Sequence, residues 1–229
     1  MASTITLQDV SRWAGTFTKL VPIIGVGGYQ QEPALSICNN VIQEILSEPY
    51  NWKFNQVIAD QWLTRQDLNI QDYQSSLSDI GWLESATYTD LISTQQPQPI
   101  DILETVRELQ PSSIVGIPEK VSYFQEGDSG VTFRLWPVPA YTQKWGINLV
   151  YQAKPQIKQG LQETWSPFPD ELAFVYRQGF LAMAYKQADD PRYVQEYQIF
   201  QSLIHKALGL KDAEMNGETV YPAIGLFIG

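Results

Sequence analysis

Cysteine and histidine are all but missing from this chain, which holds one of each, Cys38 and His205, in 229 residues. No disulfide can close within one chain, and thiolate or imidazole metal clusters and Cys–His nucleophile pairs have almost nothing to be built from. Cys38 falls among Ile37, Val41 and Ile42 on a helical pattern and reads as a small buried hydrophobe. A Ser-His-Asp triad would have to use His205, yet no Gly-x-Ser-x-Gly elbow is present, so His205 reads as an ordinary helical side chain.

Charge is scarce as well. Charged residues make up 17%, below the usual quarter, and the net charge is -10. The 15 lysines and arginines are scattered singly, with no two adjacent. Binding to nucleic acid by phosphate neutralisation needs clustered cations, so that class is disfavoured. A polyanion can still pass close by without adhering. No apolar run approaches the ~20 residues of a membrane span, and no charged-then-apolar leader opens the sequence. A soluble chain made in a reducing cytoplasm, with no membrane partner, is the expectation. What is plentiful is apolar and aromatic: 44% hydrophobic residues suffice for a core in one domain or two small ones.

The stretch from Pro167 to Leu208 organises the rest and reads as two helices back to back. The first opens at Pro169-Asp170-Glu171, where proline forfeits a donor without a partner and the carboxylates complement the helix dipole. From Leu172 to Tyr185 only Arg177 and Gln178 are strongly polar, the mark of a helix buried on several sides. Asp189, Asp190 and Pro191 then stop it and start the next, with Asp190 as cap. Tyr193, Tyr197, Phe200, Ile204 and Leu208 recur at helical spacing in the second arm, and Gly209 ends it.

Upstream, Thr6 to Leu20 reads as a helix with a Thr6–Asp9 capping box and a stripe of Leu7, Val10, Trp13 or Ala14, Phe17 and Leu20. The glycines at 25, 27 and 28 read as a connection; a phosphate loop would need a following Lys-Ser or Lys-Thr. Glu32 to Leu46 forms a second helix with Pro33 in its first turn and Pro49 beyond its end. From Trp52 to Pro155 the period shifts towards two: Val131, Phe133 and Leu135 alternate with polar neighbours, as do Ile147, Leu149 and Tyr151. Residues Glu126 to Gly130 mark a hairpin, and Gln61 to Thr64, Ile70 to Gln74 and Gly81 to Asp90 are further strands. Ser93 to Pro99 reads as an exposed extended connection. The tryptophans at 52, 62, 82, 136 and 145 are expected to staple a small β core and its interfaces.

The resulting expectation is an α+β fold: an antiparallel helical bundle of N-terminal helices (1–51) and a C-terminal helical hairpin (159–209). A mostly antiparallel β domain (52–158) is inserted into it, and an extended tail (210–229) follows. That tail ends in an apolar run, with Val220, Tyr221, Ile224, Leu226, Phe227 and Ile228 as candidate partner-binding residues. It packs on its own chain or is tied down by a neighbour; both remain open.

The order of several motifs resembles the head-to-tail adaptor (connector or neck, tail-tube-A-like) proteins of tailed bacteriophages. They are Pro167-Phe168-Pro169-Asp170-Glu171-Leu172, then an aromatic helix, Ala188-Asp189-Asp190-Pro191-Arg192 and a second helix. Arg134 to Pro139 with Leu149 to Pro155, and Pro49 to Asn55 after an amphipathic helix, match upstream parts. The resemblance implies a structural virion protein at the capsid–tail neck, assembled in the host cytoplasm into a ring homo-oligomer, usually dodecameric. Its partners would be further copies, the portal protein and a tail or neck protein, with DNA passing through unrecognised and the C-terminal segment reaching into the portal. The residues themselves assemble no convincing active site, so no enzyme, no cofactor and no metal is the expectation.

Two other classes compete. Asp79, Glu84 and Asp90 lie near Trp82 and Tyr88, which fits a carbohydrate- or receptor-binding virion module. Asp170-Glu171 and Asp189-Asp190 fit a carboxylate-based hydrolase or a cation site, although capping already accounts for Asp170 and Asp190 at helix starts.

Overall fold

The computed structural model describes residues 3–16, 31–63, 72–75, 77–90, 96–103, 114–125, 130–139 and 145–215. The chain divides into two compact units, Met1–Phe54 with Pro155–Gly229, and Asn55–Lys154.

The first unit holds the four α-helices found among the described residues: α1 (Leu7–Gly15), α2 (Ala34–Ile45), α3 (Ala173–Gln187) and α4 (Tyr193–Met215). The Thr6–Asp9 capping box forms as its spacing dictates: the Asp9 N–H donates to Thr6 Oγ1 (3.1 Å) and the Thr6 N–H to Asp9 Oδ2 (3.0 Å). The helix spans Leu7–Gly15 with Thr16 as its C-cap, and the last part of the expected helix, Phe17 to Leu20, lies outside the described residues. At α2, Glu32 Oε2 accepts both the backbone N–H (3.2 Å) and the hydroxyl (2.6 Å) of Ser36. Its buried face of Ile37, Cys38, Val41, Ile42 and Ile45 follows the predicted stripe.

The antiparallel bundle with an inserted β domain is not what forms. Helices α1 and α2 have nine and 12 residues, too short to run beside the 23 residues of α4 as paired bundle arms. Irregular chain fills the space that longer helices would have occupied. Trp52, Leu161, Trp165 and Phe168 lie at the centre of this core, and the Trp165 ring stacks on Tyr176 of α3 at 4.5 Å. Segment 3–8 is itself laid along segment 161–165, with Leu7 N–H to Glu163 O and Gln8 N–H to Leu161 O both at 2.9 Å. Helix α3 touches the other three helices, so its nearly all-apolar circumference is covered by several neighbours. Gly179 is where α3 comes closest: a Cβ there would lie 2.7 Å from the Phe200 ring and 2.8 Å from Val41 Cγ1. Helix α4 continues through Gly209 to Met215, past the predicted stop. A glycine costs a helix only about 1 kcal/mol, and good helix formers flank it.

The second unit contains β1 (Gln56–Leu63), β2 (Asp72–Gln74), β3 (Ile80–Asp90), β4 (Gln98–Ile102), β5 (Val115–Gly116), β6 (Lys120–Gln125), β7 (Val131–Trp136), β8 (Val138–Pro139) and β9 (Trp145–Ala153). Seven form a mixed sheet in the order β1-β9-β3-β4-β6-β7-β2; β4 and β6 run parallel, and β5 pairs with β8 in a separate ribbon. The expected connection from Ser93 to Pro99 thus ends inside a strand. Pro99 is tolerated because β4 pairs with β3 over residues 98–100 and with β6 only at Asp101 and Ile102, so no ladder bond to β6 is lost there. At Gly130, with φ +105°, a Cβ would lie 2.4 Å from the Ser75 carbonyl oxygen, so only glycine fits.

The alternation that marked β7 and β9 places Val131, Phe133, Leu135, Ile147, Leu149 and Tyr151 in the core. Among the described residues no tryptophan lies in this buried cluster. Trp52 belongs to the helical unit, where its Nε1–H donates to Ile45 O at 2.7 Å, and Trp82 and Trp136 are only half-buried. The side chains of Trp62 and Trp145 lie outside the described residues, as do the glycine connection and the C-terminal tail.

Candidate functional site

The sequence singled out two acidic pairs, and each one serves a joint. At the end of α3, Asp189 takes a left-handed conformation (φ 54°). The Asp190 N–H then reaches Tyr185 O (3.0 Å) and the Asp189 N–H reaches Lys186 O (3.2 Å). These two bonds make a Schellman closure, with aspartate where glycine is usual. Asp190 Oδ1 next accepts the Arg192 backbone N–H (2.9 Å) and Nε–H (3.0 Å), and Oδ2 accepts from Nη2 (2.7 Å). The same guanidinium lies over the Tyr185 ring at 4.3 Å, and Lys186 Nζ lies 5.5 Å from the Tyr193 ring centre. Donation from Arg192, side chain first and then backbone, lowers the Asp190 carboxyl to about 2.

Asp170 behaves differently from a cap. The turn at Asp170–Leu172 has Pro169 at its N-cap and no side-chain capping bond. The Asp170 carboxylate instead holds the N-terminal segment: Oδ1 accepts from Ser3 Oγ (2.8 Å) and the Thr4 N–H (3.0 Å), and Oδ2 from Thr4 Oγ1 (2.5 Å). The Thr4 and Ser3 hydroxyls, followed by backbone N–H groups, lower its pKa. No local signal could have revealed this pairing, because the partners are more than 160 residues apart.

The cluster proposed for a glycan is dispersed. Tyr88 points into the core, and Asp79 Oδ1 accepts the Tyr151 hydroxyl at 2.9 Å. Glu84 accepts the side-chain amides of Gln152 and, at 2.5 Å, Gln56, while the Asp90 side chain lies outside the described residues. Burial, more than Asp79, pushes the Tyr151 hydroxyl up to about 12. Cys38 is buried, which raises its thiol well above the usual range, and His205 is exposed with its ring edge-on to Tyr50 at 5.8 Å. Among the described residues no group of three or more His, Cys, Asp and Glu side chains could hold a metal, and no helix is long and apolar enough to cross a membrane.

Surfaces remain. In the helical unit, Val194 and Ile199 of α4 are 60% and 40% exposed on its outer side. A groove of about 520 Å³ runs between α2 and α3, with Ile37 and Met183 beside polar Asn40, Gln43, Ser47 and Gln187 and the charged Glu44 and Lys186. In the β unit, Ile114, Val115 and Ile117 are exposed along the β5 segment. Neither the groove nor the β5 patch was visible in the sequence.

Asp170 and Asp190 thus hold chain joints, and aliphatic side chains remain exposed in both units. The sequence matches the SU10 adaptor protein family over residues 7–222, and the chain belongs to that family. It is therefore a phage structural protein of the adaptor type. No curated protein matches it.

Proposed function

We propose that the chain is a head-to-tail adaptor: copies of it form a ring, dodecameric in number, between portal and tail, and packaged DNA passes through that ring. The family match over residues 7–222 is the observation that carries this reading. The net charge of -10 supports it, since an acidic channel wall lets a polyanion slide instead of adhering. Exposed aliphatic side chains in both units give the ring and its tail or neck partner surfaces to dock on. Val220, Tyr221, Ile224, Leu226, Phe227 and Ile228 supply a segment that binds the portal or the neighbouring subunit. Assembly takes place in the host cytoplasm, and the product resides in the virion neck.

Measuring the particle mass in solution, with and without the portal protein of the same phage, tests this. The expected result is a closed ring seated on the portal, lost when the chain is cut after Met215. A chain that remains monomeric with portal present at micromolar concentration overturns the reading.

A further inference from the structure

The two edges of the seven-stranded sheet are protected very differently. On one side lies β2, three residues long and pinned to β7 by the Asp72–Arg134 ion pair at 2.6 Å. A short, charged edge of that kind resists further pairing. On the other side lies β1, eight residues long, which pairs with β9 along its whole length and with no other strand among the described residues. Every second residue of such an edge turns its backbone N–H and C=O away from the sheet. β1 carries neither proline nor lysine, and its one charged residue is Asp60. Val57 and Ala59 pack on the core, so Ile58 stands on the opposite face, 73% exposed. A long edge with an exposed aliphatic side chain invites a further strand.

We infer that the C-terminal segment of a neighbouring copy adds to the free edge of β1, with Ile224 to Ile228 as the added strand. The edge itself sets the class of occupant, because only an extended segment meets a row of backbone donors and acceptors. From Val220 to Ile228 the chain has no charged side chain, so pairing there desolvates no ion. Ile224, Leu226 and Ile228 alternate, which puts them on one face of a strand, beside Ile58. Pro222 precedes that strand, where its missing N–H costs no pairing. The reach suffices. Helix α4 continues to Met215, eight residues and about 12 Å beyond Ala207, which is buried. The eight residues from 216 to 223 then span up to about 26 Å when extended. Edge and apolar end occur once in every copy, so passing each end to the next copy covers all of both. They also lie in different units of the chain, so the contact is head-to-tail and closes only as a ring, whereas β1 paired with β1 would stop at a dimer.

The inference rests on the ring reading, and disulfide trapping in the full chain separates the two. The one native cysteine, Cys38, is buried and does not compete. Ile58→Cys is combined in turn with Ile224→Cys, Leu226→Cys and Ile228→Cys. Each pair is assembled on the portal of the same phage under reducing conditions, and the particle mass is recorded before oxidation. Paired strands hold facing Cα atoms about 5 Å apart, within disulfide range. At least one pair should convert most of the assembled chain into a ladder of covalent dimers, trimers and higher species on a non-reducing gel. Ile58→Cys with Phe227→Cys, on opposite faces, should not. Assembled particles that give no ladder from any of the three pairs overturn the inference and leave the ring standing. So does a cross-linked band that stays at monomer mass, or equal linking through Phe227→Cys. A second measurement needs no substitution: in wild type, amide hydrogen exchange across residues 56–63 should slow at least about tenfold on assembly, and unchanged exchange overturns the inference. A wild-type chain that never assembles overturns both.

Discussion

Replacing Gly179 by alanine tests the central contact of the helical unit. Glycine within a helix normally costs about 1 kcal/mol against alanine, so the substitution gains that much if nothing else changes. Here the new methyl would lie 2.7 and 2.9 Å from two carbons of the Phe200 ring and 2.8 Å from Val41 Cγ1. Phe200 and Val41 are both 0% exposed, so neither can swing into solvent. Overpacking a closed core costs about 1–3 kcal/mol, and a methyl pinned between two buried side chains belongs at the top of that range. The net expectation is a loss of about 2 kcal/mol, or about 4–8 °C in melting temperature for a chain of this size.

Thermal and urea unfolding, followed by the helical circular dichroism signal, read this directly. Gly209→Ala is the matched control, because nothing lies within 4 Å of a Cβ at that position in the same kind of helix. It should gain up to about 1 kcal/mol. Val41→Ala should cost less in the Gly179→Ala background than in wild type, a coupling that distant sites would not show. If Gly179→Ala melts at or above wild type, as Gly209→Ala should, the close approach of α2, α3 and α4 is wrong.

Three further outcomes follow from the joints. Asp189→Gly relieves the left-handed conformation at φ 54° and should stabilise by about 0.5 kcal/mol in the same unfolding assay, with no other contact disturbed. Asp170→Asn weakens the hold on Ser3 and Thr4, so amide hydrogen exchange at Thr4 and Ile5 should quicken while that of α3 stays unchanged. Asp190 is depressed from 3.8 to about 2, so its contribution to the folded state is full above pH 3.8 and is lost as pH falls through about 2. An NMR titration of the Arg192 amide should show its midpoint near 2; a midpoint near 4 refutes the bond.

Local features were legible in the sequence where the forces that fix them act within a few residues. The Thr6–Asp9 box, the turn from Ala188 to Arg192 and the alternation in β7 and β9 all depend on neighbours one to four positions away. What could not be read depends on distant partners. Trp52 has the composition signature of a β staple, yet its indole is claimed by Ile45 O at the end of α2. Stripes on α1 and α2 predicted helices burying each other, but a stripe does not say what covers it. Trp165 and Phe168, in irregular chain, cover much of that surface. Gly209 carries a stop signal that its flanking residues outweigh. The parallel β4–β6 pair is set by sheet order, which periodicity does not encode.

The acids themselves argue against a carboxylate hydrolase. A general acid working near neutrality needs its pKa raised by burial or by a like charge. Asp170 and Asp190 both move the other way, because hydroxyl, backbone and guanidinium donors favour the ionised form. They also flank the 15 residues of α3, which at about 1.5 Å per residue put more than about 20 Å between them along the helix, well beyond the separation two glycosidase carboxyls require. Each carboxylate instead fixes chain at one end of α3: Asp170 holds residues 3–5, and Asp190 holds the start of α4. An acid engaged by three or more donors in the resting protein has little lone-pair capacity left for a substrate. Its removal should therefore change how the chain is held together, and any loss of assembly should track the loss of local order in hydrogen exchange.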